Sequence, residues 1–234
     1  MRVLVACEES QAVTIELRHL GHEAYSCDMQ DCSGGHPEWH IKGNALEYIH
    51  QTTVYVNDTY GELETGYEFV TVDGKYHRFF GEWDMIIAHP PCTYLSCAGA
   101  QRTFPVAGVP DPKRYAKGEE AAWFFMQFWN ADCKRIAIEN PLPMKCFGLP
   151  QYSQIIHPFM FGDPWYKRTC LWLKGLPPLI CTEAAVEPTG YWVQRSGSRA
   201  KGMRGGHRDP KLRSKTFPGI AKAMAEQWAG RCDE

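Results

Sequence analysis

WDMIIAHPPC, residues 83–92, reads as a strand that runs into a forced turn. Met85 to Ala88 is apolar without alternation, the mark of a strand covered on both faces, as strands of a parallel sheet are. The strand is read over Trp83–His89. Pro90 and Pro91 offer no backbone N–H to a ladder, so pairing stops there and Cys92 stands just past the carboxyl end.

The same grammar holds on both sides of this stretch. Arg2 to Cys7 (RVLVAC) is a short apolar strand, and Ser10 is placed to cap a helix, QAVTIELRHL, whose Val13, Leu17 and Leu20 share a face before Gly21 stops it. Glu23 to Asp28 is a second strand. Glu119 to Ala131 is helical and aromatic, and it leads into a buried strand, Arg135 to Glu139, stopped by Asn140-Pro141. Arg168 to Leu173 is a further strand. Parallel neighbours need a crossover that a helix supplies, so the alternation specifies an α/β fold, a doubly wound and mostly parallel sheet. Such sheets bind ligands at the carboxyl ends of their strands. Glu8 to Ser10, Asp28, Cys92, Glu139 and Asn140 all fall there.

Two segments interrupt the pattern. Thr52 to Phe80 alternates Val, Tyr and polar residues around NDTYGE and VDGK, which reads as one or two inserted β-hairpins. Residues 177–213 are rich in Gly and Pro and have little periodicity. The chain is therefore expected to divide into a core at 1–176 with an insertion at about 51–80, a short basic, target-recognition-like segment at 177–213, and a helix at 214–234 that returns to the core.

Its 234 residues, 44% hydrophobic, can bury a full core, and no run approaches the roughly 20 apolar residues of a membrane span. MRVLVACEES lacks the pattern of a secretory leader, so a cytoplasmic protein without membrane contact is expected. The ten cysteines are scattered and form no Cys-x-x-Cys pair, which reads as reduced thiols without a zinc ribbon. Cys32, His36 and His40 have helical spacing, but Gly34, Gly35 and Pro37 oppose a helix, so an ordered loop and no metal site are expected.

The net charge of −2 hides an asymmetry. Between Gln194 and Lys215, eight cationic side chains, among them Arg199, Lys201 and Arg204, face Asp209 alone, a local +7 against −9 elsewhere. A Gly-rich basic segment on an acidic body suits contact with phosphates; a solvated loop is the plainer reading.

Asp28 closes the second strand where nucleotide-binding sheets place a carboxylate for ribose hydroxyls. The turn CEESQAV has no glycine, which disfavours a pyrophosphate and leaves room for a cofactor without phosphates, such as S-adenosylmethionine. Cys92 reads either as a thiolate nucleophile, its pKa lowered by nearby donors or a helix N-terminus, or as a small hydrophobe. Glu139-Asn140-Pro141 tips the balance: a buried carboxyl kept protonated at neutral pH can donate to a ring under thiolate attack. With Cys92 on carbon 6 of cytosine and Glu139 at N3, carbon 5 becomes nucleophilic enough to take a methyl group.

The order and spacing of these elements resemble the cytosine-5 DNA methyltransferase family, especially its short bacteriophage and prophage forms. The likeness covers Met1 to about Leu176 plus the C-terminal helix and is carried by Pro-Pro-Cys and Glu-Asn-Pro. It implies the Rossmann-like sheet of S-adenosylmethionine-dependent methyltransferases, with 5-methylcytosine in DNA as product. It further implies that Cys92 is the nucleophile, that Pro91 shapes its loop, that Glu139 contacts the base edge and that Asn140 orders the site. Ala6, Cys7, Glu8 and Ser10 would line the cofactor turn, Asp28 beside Met29 would hold the ribose, Asn44 and Ala45 would face the adenine, and His89 and Pro90 would complete the pocket. Arg168 matches the first arginine of the family's Arg-x-Arg element, and Cys170 replaces the second. Residues 97–118 stand where the family has a mobile catalytic loop, so that Gln101 and Arg102 would fill the space of an extruded base. Ser214 to Trp228 resembles the closing helix. The family's large target-recognition domain is replaced by about 35 residues, mostly basic, through which Arg199, Lys201 and Arg204 would grip DNA. A monomer acting on DNA is expected, with an accessory partner as a possible source of specificity.

Two other readings compete. A DNA amino-methyltransferase acting on cytosine N4 or adenine N6 also carries a Pro-Pro element after a strand, although it wants an aromatic residue where Cys92 stands. A nucleic-acid-binding protein of weak or absent catalysis would use the same fold and the basic segment.

Overall fold

Residues 1–56, 63–192, 209 and 213–232 are described by the computed structural model. Twelve strands are present among them: β1 Arg2–Ala6, β2 Glu23–Asp28, β3 His40–Lys42, β4 Thr52–Val56, β5 Leu63–Val70, β6 Tyr76–Phe80, β7 Met85–Ala88, β8 Ile136–Pro141, β9 Gln154–Ile156, β10 Trp165–Tyr166, β11 Thr169–Lys174 and β12 Gly190–Tyr191. Four α-helices accompany them: α1 Ala12–His19, α2 Ala100–Thr103, α3 Pro112–Trp129 and α4 Pro218–Trp228. No helix among the described residues is long and apolar enough to cross a membrane.

The central sheet has the order β3-β2-β1-β7-β8-β11-β9. β1 pairs in parallel with β2 and β7, β2 with β3, and β7 with β8, while β11 runs antiparallel between β8 and β9. The fold is α/β and Rossmann-like, with one antiparallel edge. Successive side chains leave a strand on opposite faces, so β1 sends Leu4 and Ala6 into one core and Val3 and Val5 into the other. The first core holds Phe125 and Phe128 of α3 with Trp83 and Trp172. The second holds Val13 and Leu17 of α1 with Ile220, Met224 and Trp228 of α4.

The helix starts differ from those expected. Ser10 does not cap α1. Gln11 occupies the cap position in left-handed geometry without a side-chain bond, and the Glu8 carboxylate takes the open N–H groups of Val13 at 2.7 Å and Thr14 at 3.3 Å. A buried carboxylate reaching over the first turn satisfies donors that a hydroxyl would otherwise serve. Helix α3 begins seven residues before Glu119, because Asp111 accepts from Arg114 N at 2.8 Å and Pro112 fits the first helical position. Gly118 inside it costs about 1 kcal/mol in propensity. It is needed there: a Cβ would stand 2.0 Å from the Phe147 ring. Burying Phe125 and Phe128 yields about 1.5–3 kcal/mol each, more than that cost, so packing decides where the helix lies.

Residues 52–80 contribute their own antiparallel sheet, β4-β5-β6. Its inner side chains, Tyr67, Phe69 and Phe79, pack on Tyr25 and Trp83, with Tyr25 and Phe69 edge to face at 4.8 Å. Its outer face carries the Glu68–Arg78 ion pair at 2.8 Å. The ten cysteines are unpaired.

Candidate active site

Strand register builds the site. Ala6 lies opposite Cys27 and Ala88, and Ala88 opposite Ile138, so the next residues, Cys7, Asp28, His89 and Glu139, line up along one carboxyl edge. Pro141 pairs with Thr169, which brings Lys167 and Arg168 to the same edge from β11.

On the β1–β2–β3 side the turn after β1 is strained. Cys7 and Gln11 both have φ of 58°, a region that side chains other than glycine rarely adopt, at a cost on the order of 1 kcal/mol each. Burial, reinforced by Asp28, pushes the Cys7 thiol well up. Glu8 is buried, and both oxygens are spent on α1, Oε2 also accepting from Thr14 Oγ1 at 2.8 Å. Burial raises its pKa against the opposing pull of His89 and those donors. Glu8 thus anchors the start of α1 with its side chain. Neighbouring Glu9, within the Glu8 to Ser10 turn but given no role of its own in the sequence reading, has Oε1 buried without a hydrogen-bond partner.

The loop before β3 clasps this turn. Gln11 Nε2 donates to His36 O at 2.8 Å, Gln11 Oε1 accepts from His36 N at 3.1 Å, and Ser33 N donates to Glu9 O at 2.7 Å. Gly34 permits the approach, since a Cβ there would lie 2.7 Å from Ser10 O. Ser10 therefore sits under the loop. His36 is bonded to Glu38 at 3.0 Å, and His40 spends its ring nitrogens near Ser26 Oγ at 2.8 Å and Gln30 O at 2.9 Å. Among the described residues no three His, Cys, Asp or Glu side chains are grouped to hold a metal ion. Asp28 accepts from Gln30 N at 2.9 Å through Oδ1, and its carbonyl from Gly43 N at 3.0 Å, which sets Asn44 beside it. Asn44 Oδ1 accepts from Leu46 N at 3.2 Å, Ala45 is buried, and Met29 is 69% exposed.

On the β7–β8–β11 side, His89 Nδ1 donates to Glu139 Oε2 at 3.2 Å, with the two side chains only 9% and 13% exposed. His89, expected beside the cofactor, has its ring against the Glu139 carboxylate. Burial alone would raise the Glu139 pKa, but the His89 bond and the Lys167 charge outweigh it and hold the carboxyl below its ordinary range. Burial, which by itself would keep such a carboxyl protonated, is opposed here by the His89 hydrogen bond and the Lys167 charge. Asn140 is buried. Its Nδ2 donates to Pro90 O at 2.8 Å and so locks the Pro-Pro turn to β8, while its Oδ1 has no partner.

Cys92 is half-buried, and its carbonyl accepts from Leu95 N at 3.2 Å and Ser96 N at 3.0 Å. Burial pushes its thiol up and Glu139 adds to the rise, with Lys167 and Arg213 pulling the other way. The expected lowering is absent. Lys167 is the residue that the sequence reading passed over. Arg168 is exposed, and its charge acts on His157 and Cys170, whereas Lys167 is half-buried with Nζ 5.6 Å from the Phe217 ring and acts on both Glu139 and Cys92. Strand parity was the available signal: Leu171, two pairs along from Lys167, lies opposite Glu139 on the α1/α4 side.

The stretch after Cys92 is folded against α3. Arg114 donates to Thr93 O at 2.9 Å and Thr103 Oγ1 at 3.1 Å, and it lies 4.9 Å from the Tyr94 ring. Gln101 and Arg102 are exposed on α2, and residues 112–118, expected in a loop, are helix. Lys215 donates to Ser33 Oγ at 3.0 Å. Arg199, Lys201 and Arg204 lie outside the described residues.

Fold and edge define the class, a Rossmann-like α/β protein with a cysteine, a histidine, a carboxylate and a lysine gathered where such sheets bind ligands. No protein-family model matches the chain, and no curated protein matches it. Among solved structures it overlaps a crystal structure named as a candidate DNA modification methyltransferase encoded within a prophage (E. coli), at 9% identity and a TM-score of 0.38, over 74% of this chain and 46% of that one. The chain spans less than half of that protein, and a likeness of this size is silent on substrate.

Proposed function

We propose that the protein is a DNA methyltransferase that transfers the methyl group of S-adenosylmethionine to carbon 5 of cytosine. One observation carries the reading: the Cys92 thiol just past β7 shares its edge with the Glu139 carboxylate of β8, and Lys167 acts on both. A nucleophile, a group for the base edge and a cation acting on both are what addition to a pyrimidine ring needs.

The residues of the β1–β2–β3 side fit the cofactor. Asp28 and Asn44 would hold ribose and adenine, and the unpartnered buried Glu9 Oε1 fits its cationic end. When bound, the cofactor supplies an electrophilic methyl group. Cys92 loses its proton to solvent, favoured by Lys167 and Arg213, and its sulfur bonds carbon 6 as Glu139 engages N3. The electron pair displaced to carbon 5 takes the methyl group. Loss of the carbon 5 proton then expels the thiolate. Asn140 keeps the nucleophile in place through Pro90. Gln101 and Arg102 would replace the extruded base, Arg168 would meet the backbone beside the site, and 177–213, with Arg199, Lys201 and Arg204, would grip phosphates.

Mass spectrometry of nucleosides from cells expressing the protein tests this. Wild type should yield 5-methylcytosine and Cys92→Ser none. N4-methylcytosine or N6-methyladenine would install the amino-methyltransferase reading, and no modified base at all would favour a binding protein.

A further inference from the structure

The geometry points to His89 as the residue that delivers the proton Glu139 must hold while it serves the base, an inference that rests on the cytosine-5 reading of this site. An ionised carboxylate cannot donate to N3, and the His89 hydrogen bond together with the Lys167 charge favours the ionised form of Glu139. A proton must therefore arrive when the base does. The titratable groups that act on the pair are Glu8 from the β1–α1 turn, Cys92 from the loop after β7, Lys167 just before β11 and Cys170 within β11. Of the described residues, only His89 is hydrogen-bonded to the Glu139 carboxylate.

His89 is built for the task. Its backbone N donates to Ala6 O at 2.9 Å, which ties its main chain to the end of β1. Nδ1 meets Glu139 at 3.2 Å, while Nε2 is buried without a partner. The ring thus couples by a bond to one buried carboxylate and by charge to a second, Glu8. Imidazole is the side chain suited to pass a proton near neutral pH, and a lysine at its usual pKa holds its proton too tightly.

The step balances. As Cys92 sulfur bonds carbon 6 and the C5=C6 pair moves to carbon 5, the Nδ1 proton passes to Glu139 and from the carboxyl to N3 while Nε2 takes up a proton from solvent, which it gives back when the transfer reverses. After the methyl group is on carbon 5 and the carbon 5 proton has gone to solvent, cleavage of the S–C6 bond restores the ring, and the N3 proton returns through Glu139 to His89. Nothing is oxidised or reduced, and the sulfonium methyl donor leaves as a neutral thioether.

His89→Asn keeps a donor near the Nδ1 position but cannot relay a proton. Single-turnover methyl transfer to duplex DNA should slow by about 100-fold, the low end for general acid–base catalysis, and the limb that the His89–Glu139 pair puts on the pH–rate profile should vanish. In a Glu139→Gln background, whose carboxamide donates without needing a proton, the same change should cost less than about 3-fold, the coupling expected of groups acting as one unit. His89→Gln serves if the Asn variant fails to fold. A wild-type rate and profile in His89→Asn, or a full loss repeated in the Glu139→Gln background, overturns the relay and leaves the methyltransferase reading standing. Wild type without 5-methylcytosine or a covalent adduct overturns that reading first, and the relay with it.

Discussion

The two halves of the carboxyl edge are built to different rules. On the β1–β2–β3 half, polar groups are mostly committed: Glu8 to the start of α1, Gln11 to His36, Asn44 to Leu46, Asp28 to Gln30. On the β7–β8–β11 half, opposite charges share a buried space and polar atoms stay unspent, His89 Nε2 and Asn140 Oδ1 among them. A half that satisfies its own donors and acceptors holds a shape. A half that leaves them open, and that holds Glu139 down while Cys92 is pushed up, keeps its capacity for a reacting group.

Predictions can break that division. The largest effect belongs to the open half: Cys92→Ala should reduce methyl transfer by roughly 10⁴-fold or more and change S-adenosylmethionine affinity by no more than a few-fold, read by tritiated-methyl assay and calorimetry. Equal losses in both would erase the boundary. Next comes the contrast at the head of β11. Lys167→Ala should slow transfer by about 10- to 100-fold, because the cation facing Glu139 and Cys92 is gone, and Arg168→Ala by only a few-fold. The reverse ranking would restore the arginine that resemblance suggested.

Stability separates the halves by pH. Glu139 has a lowered pKa when folded, so its carboxylate contributes stability above the unfolded value of about 4.3, and that contribution is lost as pH falls through the lower folded value. Glu139→Gln should therefore cost stability at pH 7, and the cost should shrink in acid. Glu8 is shifted the other way, so its charge opposes folding as pH rises through the raised value. Its three hydrogen bonds still make Glu8→Ala cost about 1–2 kcal/mol by urea denaturation. Ser10→Ala should stay within about 0.5 kcal/mol, since Ser10 caps nothing. A larger loss at Ser10 than at Glu8 would reinstate the hydroxyl cap.

These contrasts also mark what the sequence made legible. Met85–Ala88 and Ile136–Ile138 show themselves because a strand covered on both faces has no polar alternation to blur it; Pro90-Pro91 announces the end of the first, whereas the second runs on through Asn140 and Pro141, which pair with Cys170 and Thr169. β3 and β9 have three residues apiece and exist because a neighbouring strand offers them a ladder, which leaves little local trace. The start of α3 was visible in Asp111-Pro112 but was masked by the surrounding Gly and Pro residues. Cys92 and Glu139 could be placed at one edge from strand ends alone. The sign of their pKa shifts could not, because it depends on His89 and on Lys167 just before β11, partners that only the folded sheet brings within reach.

Duplex DNA carrying 5-fluorocytosine at the methylated position puts the central claim to its most direct test. Fluorine cannot leave carbon 5 as a proton does, so elimination stalls and the sulfur–carbon 6 bond persists. With S-adenosylmethionine present, the protein should form an adduct that survives a denaturing gel and maps by peptide mass spectrometry to Cys92. Methyl transfer to ordinary DNA with no adduct on the fluorinated strand, or an adduct at a different cysteine, would contradict the account.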